Sequence, residues 1–70
     1  MNLDEAERQL EAAIHDARVA FDSIALGNLE QAHTNAITAR ASVDSAENAI
    51  RIALENEERE RAEEESKPAE

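Results

Sequence analysis

Two spacings in this sequence bring together side chains able to hold a metal. Glu30-Gln31-Ala32-His33 is a Glu-x-x-His. On a helix, residues three apart share a face, so a carboxylate and an imidazole could reach one ion. Glu11 and His15 stand four apart and could clip a metal weakly or form an exposed ion pair. Beyond these, reactive groups are sparse. Ser23, Ser42, Ser45 and Ser66 lack the glycine frame of a nucleophile elbow. One glycine cannot build a phosphate-cradling loop. Cysteine is absent, which removes disulfides and thiolate zinc sites. The sequence therefore predicts no catalytic residues, no cofactor and no enzyme.

Whatever chemistry exists must be positioned by helices. The chain has 70 residues, enough for one small domain, and 41% are hydrophobic, much of that alanine. Large apolar groups are few, with one Phe, one Met, no Trp and no Tyr. Chains this short rarely bury enough surface to fold without a disulfide, a metal or a partner. With disulfides excluded, a partner is the expected support. The formal net charge of −10 repels nucleic acid and anionic membranes. No apolar run approaches the roughly 18 residues of a membrane span. Met-Asn-Leu-Asp-Glu lacks the basic-then-apolar layout of a signal peptide. A soluble, cytoplasmic protein is the expectation, with no nucleic acid and no membrane among its partners.

Gly27 and Pro68 are the strong breakers. Asn2 with Glu5 fits a capping box, and Asp4 and Glu5 suit the positive end of a helix dipole. The first helix is expected over residues 3–26. Gly27 can take the left-handed conformation that ends a helix, and Asn28 with Gln31 offers the next cap. Residues 27–28 then form a tight turn between antiparallel helices. The second helix is expected over residues 29–54. Residues 55–70 form an acidic helical extension that frays toward its end, supported by Glu55/Arg59 and Glu57/Arg61 at four-residue spacing.

A heptad runs through both helices. In the first, position a carries Leu3, Leu10, Ala17 and Ile24, and d carries Ala6, Ala13 and Ala20. In the second, a carries Leu29, Ala36, Val43 and Ile50, and d carries Ala32, Ala39, Ala46 and Ala53. Alanine at every d lets two backbones approach closer than the usual 8–10 Å. Folding at Gly27 sets Leu3 on Ala53, Leu10 on Ala46, Ala13 on Val43 and Ile24 on Ala32. Most layers then match a large residue with an alanine. The expected fold is all-α: an antiparallel two-helix hairpin with an Ala-rich heptad seam.

Ile14 and Phe21 form a second apolar row with no mate inside the hairpin. A stripe spanning a, d and e suits more than two helices. The expectation is a homodimeric four-helix bundle, with Ile14, Ala17, Phe21, Ile37 and Arg40 at its interface. Alternatively, Phe21 folds over Ala17 and Ala36 within one hairpin. Arg40 and Glu47 fall at e positions, where charges help to set partner and orientation. Arg18 and Arg51 could bridge hairpins or sit on a solvated face. Ile37, Ile52, Val19 and Leu26 lie off both rows and could face another protein.

This frame places Glu30 at b and His33 at e, so Glu30 points outward beside the turn. That geometry disfavours a shared metal centre. Leu26-Gly27-Asn28-Leu29-Glu30-Gln31-Ala32 resembles the turn of a tetratricopeptide repeat, with Ala20 and Ala39 where that repeat has small residues. The aromatic positions of the repeat hold Asp16, Ser23 and Ala36 instead, and a stable array needs about three units. The resemblance is one of turn chemistry. The general plan also resembles the Rop-type RNA-binding dimers of helical hairpins, without a shared motif and with a charge unsuited to RNA. The leading functional expectation is a structural or protein–protein interaction module. The alternatives are an acidic inhibitor that mimics nucleic acid, and a di-iron-like metal-binding hairpin dimer using Glu30 and His33.

Overall fold

The computed structural model of the chain describes residues 2–66. Two helices pack against each other: α1, Asp4–Ala25, and α2, Leu29–Ser66. No strand occurs among the described residues. The backbone envelope measures 68 × 15 × 13 Å, a single layer of two helices. The part of the expected extension beyond Ser66 lies outside the described residues.

Local chemistry accounts for both helix starts and for the turn. The Asn2 carboxamide oxygen accepts the Asp4 amide at 2.7 Å, satisfying one donor at the α1 start. The expected capping box of Asn2 and Glu5 does not form: the cap position falls at Leu3, which makes no side-chain cap hydrogen bond. Glu5 turns instead toward Arg8 and Gln9, accepting from Arg8 at 2.6 and 3.0 Å and from Gln9 at 3.1 Å. A cation one turn away competes well with a backbone amide for that carboxylate. At the other end of α1, Gly27 adopts φ 76°. The Asn28 amide donates to the Ser23 carbonyl at 2.8 Å and the Gly27 amide to Ile24 at 3.0 Å, closing a Schellman motif. Asn28 then caps α2, accepting the Gln31 amide at 3.1 Å, while its amide group donates to the Gln31 side chain at 3.0 Å. These interactions reverse the chain within three residues.

The core consists of small side chains. Ala6, Ala13, Ala20, Ala32 and Ala46 are buried, and Ala46 is 0% exposed. Ser23 is buried too, its hydroxyl donating to the Val19 carbonyl at 2.7 Å. Gln9, Asp16 and Val19 of α1 and Asn35, Ala39, Ser42, Ala49, Ala53 and Asn56 of α2 are half-buried. All of the buried and half-buried residues except Val19, at c beside the g row, belong to heptad positions d and g. The helices therefore meet on the d and g rows, whereas the spacing predicts contact on a and d. Leu3, Leu10, Ile24, Val43 and Ile50, expected to cover alanines, are 36–61% exposed, and Leu29 at the head of the same row is 67% exposed. The reason is steric. Bulky a residues hold two backbones apart, while Ala at d beside Ser23, Ser42 and Ala49 at g allows close approach. The pair rolls toward its small-residue side and the large side chains swing outward.

The register across the seam follows the expected pairing. Leu3 lies beside Ala53, and Leu10 shares a groove with Val43 and Ile50. Five buried alanines contribute little, since a methyl group is worth about 0.8 kcal/mol.

Candidate interaction face

Around a helix, position e follows a on the side away from d. Because the helices run antiparallel and meet on d and g, both a rows and both e rows emerge on the same side of the layer. That side carries Leu3, Leu10, Ile14, Ala17, Phe21 and Ile24 from α1, and Leu29, Ala36, Val43, Ile50 and Leu54 from α2. None of these eleven side chains is buried. Phe21 and Ile14 are each 71% exposed. This corrects the alternative in which Phe21 folds over Ala17 and Ala36: the ring stands in the open.

Two grooves mark the face. One, toward the turn, is lined by Ile14, Ala17, Arg18 and Phe21. The other, toward the open end, lies between the helices and is lined by Leu10, Val43, Glu47, Ile50, Arg51 and Leu54. Ile14, Ala17 and Phe21 are thus brought together as their spacing implies. Ile37 and Arg40 line neither groove, although both are exposed on α2. The open-end groove was not legible as a site, because the heptad assigns Leu10, Val43 and Ile50 to the seam. The signal that could have found it is a g row without any large apolar side chain, with Ser23, Ser42 and Ala49 at its smallest points, which lets the contact roll away from a.

The electrostatics of the face are uneven. Arg51 lies between Glu47 and Glu55 on its own helix, at 3.6 Å from each. That tie places it along the helix surface, not free to reach outward. Arg59 pairs with Glu63 at 3.9 Å. The expected Glu55/Arg59 and Glu57/Arg61 pairs do not form; Arg51–Glu55 and Arg59–Glu63 have Arg first, the weaker order on a helix, while Glu47–Arg51 has the favourable one. Arg18 and Arg40 make no ion pair or hydrogen bond among the described residues. They stand unpaired beside an apolar surface. Among the described residues Glu5 is the one group whose acidity is clearly moved: hydrogen bonds from Arg8 and Gln9, with the Arg8 charge, hold its carboxyl below the usual value of 4.5.

The metal-binding spacings do not converge. Glu30 and His33 are exposed next to the turn, and no group of three or more His, Asp or Glu side chains placed to hold an ion occurs among the described residues. Glu11 and His15 form no ion pair. Among the described residues no helix is long and apolar enough to cross a membrane.

Comparison with protein families, with curated proteins and with solved structures finds no match to this chain.

Proposed function

We propose that this protein is a protein–protein interaction module that works as a homodimer, two hairpins closing their a and e faces into a four-helix bundle. One observation carries the reading: nine of the twelve exposed large apolar side chains among the described residues, all but Leu26, Ile37 and Ile52, collect on one side of a single layer. A contiguous apolar surface of this kind on a helical protein marks an interaction site. The alanine seam adds the energetic reason. A hairpin whose buried side chains are almost all methyl groups gains too little to offset ordering the chain, so covering the a and e face supplies the missing stabilisation. A second copy is the natural cover, because its face has the same length and curvature and a symmetric pairing uses it completely.

The test is solution mass by light scattering across a dilution series, with circular dichroism on the same samples. A dimer of twice the 7.7 kDa chain at micromolar concentration supports the proposal. A well-folded monomer at every concentration refutes it.

A further inference from the structure

We propose that α1 is the self-recognition helix of the dimer. It packs on the partner's α1, Phe21 against Leu10 and Ile14 against Ala17, and reciprocal ion pairs between Arg18 of one copy and Glu11 of the other select the match. This rests on the homodimer reading above and names the residues that encode it.

The two helices contribute unequally to the apolar face. On α1 the a and e positions from Leu10 to Ile24 hold no charge. On α2 they are interrupted by His33, Arg40 and Glu47. The groove toward the turn is built from α1 alone, and Arg18 lines it beside Ile14, Ala17 and Phe21. A symmetric contact uses one patch twice, so residue i meets j while j meets i. Ile14 and Ala17 satisfy this for one antiparallel register, and the same register brings Leu10 onto Phe21, because both pairs share one midpoint. That midpoint is level with His15 and Asp16. Each Ile14 then has an alanine opposite, and each Phe21 ring covers a leucine that its own hairpin leaves exposed. Ile24 meets the partner's Glu7 at the rim.

The b row flanks this contact and reads Asp4, Glu11, Arg18, Ala25 along α1. Glu11 and Arg18 are exposed and form no ion pair among the described residues. In the register above, Arg18 comes within about two residues of the level of the partner's Glu11, about 3 Å along the axis. Symmetry makes two such pairs. A slip of one heptad toward the turn sets Arg18 on the partner's Arg18. One heptad the other way lets Arg18 reach Asp4, but it sets Glu11 on the partner's Glu11 and carries Ile24 past the end of the partner's α1. With the turns at the same end, α1 would lie on the partner's α2, at levels given by Leu3 beside Ala53. Arg18 would then meet Ile37, and Glu11 would meet Asp44, alike in sign. Asp4 would meet Arg51, which Glu47 and Glu55 already hold. Like charges across an interface are a strong bar to the wrong arrangement.

The experiment makes Arg18→Glu and Glu11→Arg separately and then mixes them. Alone, each variant sets like charges across both sites, and its dimer Kd by light scattering should rise about tenfold above wild type. Mixed in equal amounts, the two should regain the wild-type Kd. Native mass spectrometry should then find the heterodimer well above the half expected of random pairing. A chain carrying both substitutions should again form a homodimer. Circular dichroism is recorded on every sample, and helicity lost in one variant and regained in the mixture supports the pairing equally. Random pairing in the mixture, or a dimer tightened by Glu11→Arg alone, overturns the α1 match and leaves the homodimer intact. Wild type that stays a folded monomer overturns the homodimer reading itself.

Discussion

Replacing Phe21 by alanine separates the hairpin from the assembly. The ring is 71% exposed within one chain, so its removal takes little from the hairpin. Fully burying a Phe side chain is worth about 1.5–3 kcal/mol, and roughly seven-tenths of that remains to be gained at an interface, about 1–2 kcal/mol per chain. A symmetric dimer contains the contact twice, which brings the loss to about 2–4 kcal/mol. That corresponds to a dissociation constant raised about 30- to 1,000-fold. Alanine is also the better helix former, which offsets part of any loss inside α1. The assay is sedimentation equilibrium or light scattering on wild type and Phe21→Ala over the same concentrations. Circular dichroism is recorded below the dissociation constant, where both are monomers. The expected result is a large shift toward monomer with the monomer's helicity unchanged. A dissociation constant within threefold of wild type would show that Phe21 is not covered in the dimer. A monomer that loses its helicity would show that the ring supports the hairpin despite its exposure.

Further outcomes follow from the turn, the seam and the α1 start. Gly27→Ala should lower stability by about 1–2 kcal/mol in thermal or urea unfolding, because φ 76° strains any residue with a Cβ, although no atom lies within 4 Å of the added methyl. An unchanged midpoint would mean the turn relaxes to another form. Ala46→Leu should destabilise by about 1–3 kcal/mol, since a side chain 0% exposed leaves no room between the helices, whereas Ala62→Leu on the exposed extension should stay within about 0.5 kcal/mol. Equal effects at the two sites would contradict the alanine seam. Asn28→Ala should cost about 1 kcal/mol through loss of the α2 cap, read from the unfolding midpoint. The Glu5 carboxyl titrates below 4.5 in the folded chain. Its pairing with Arg8 and Gln9 therefore contributes above the unfolded value and is lost as pH falls from 4.5 through the folded one. Carboxyl NMR titration should show that midpoint below its ordinary value in wild type and moved up toward it in an Arg8→Ala variant, which keeps the Gln9 hydrogen bond.

The sequence by itself was enough for the two-helix hairpin, for its turn and for its register. Gly27 followed by Asn28 leaves the chain one short route, a left-handed residue and then a fresh cap, and those are local properties of backbone and side chain. Alanine at every d position likewise marks the contact row, because small side chains favour close approach wherever they fall. Local pattern also set Ile14, Ala17 and Phe21 together, since they lie three and four apart on one helix. Tertiary structure decided how the two helices roll about that row. A heptad names a and d as the seam when both can pack, but whether the pair leans toward a or toward g depends on the volumes facing each other across the contact. Ser23, Ser42 and Ala49 are smaller than the leucines and isoleucines at a, so the contact moved to d and g. That rotation turned Leu10, Val43 and Ile50 from expected core into one half of an exposed face, beside Leu54. Periodicity along one chain cannot report it, because it is the sum of steric terms between two helices and belongs to neither alone.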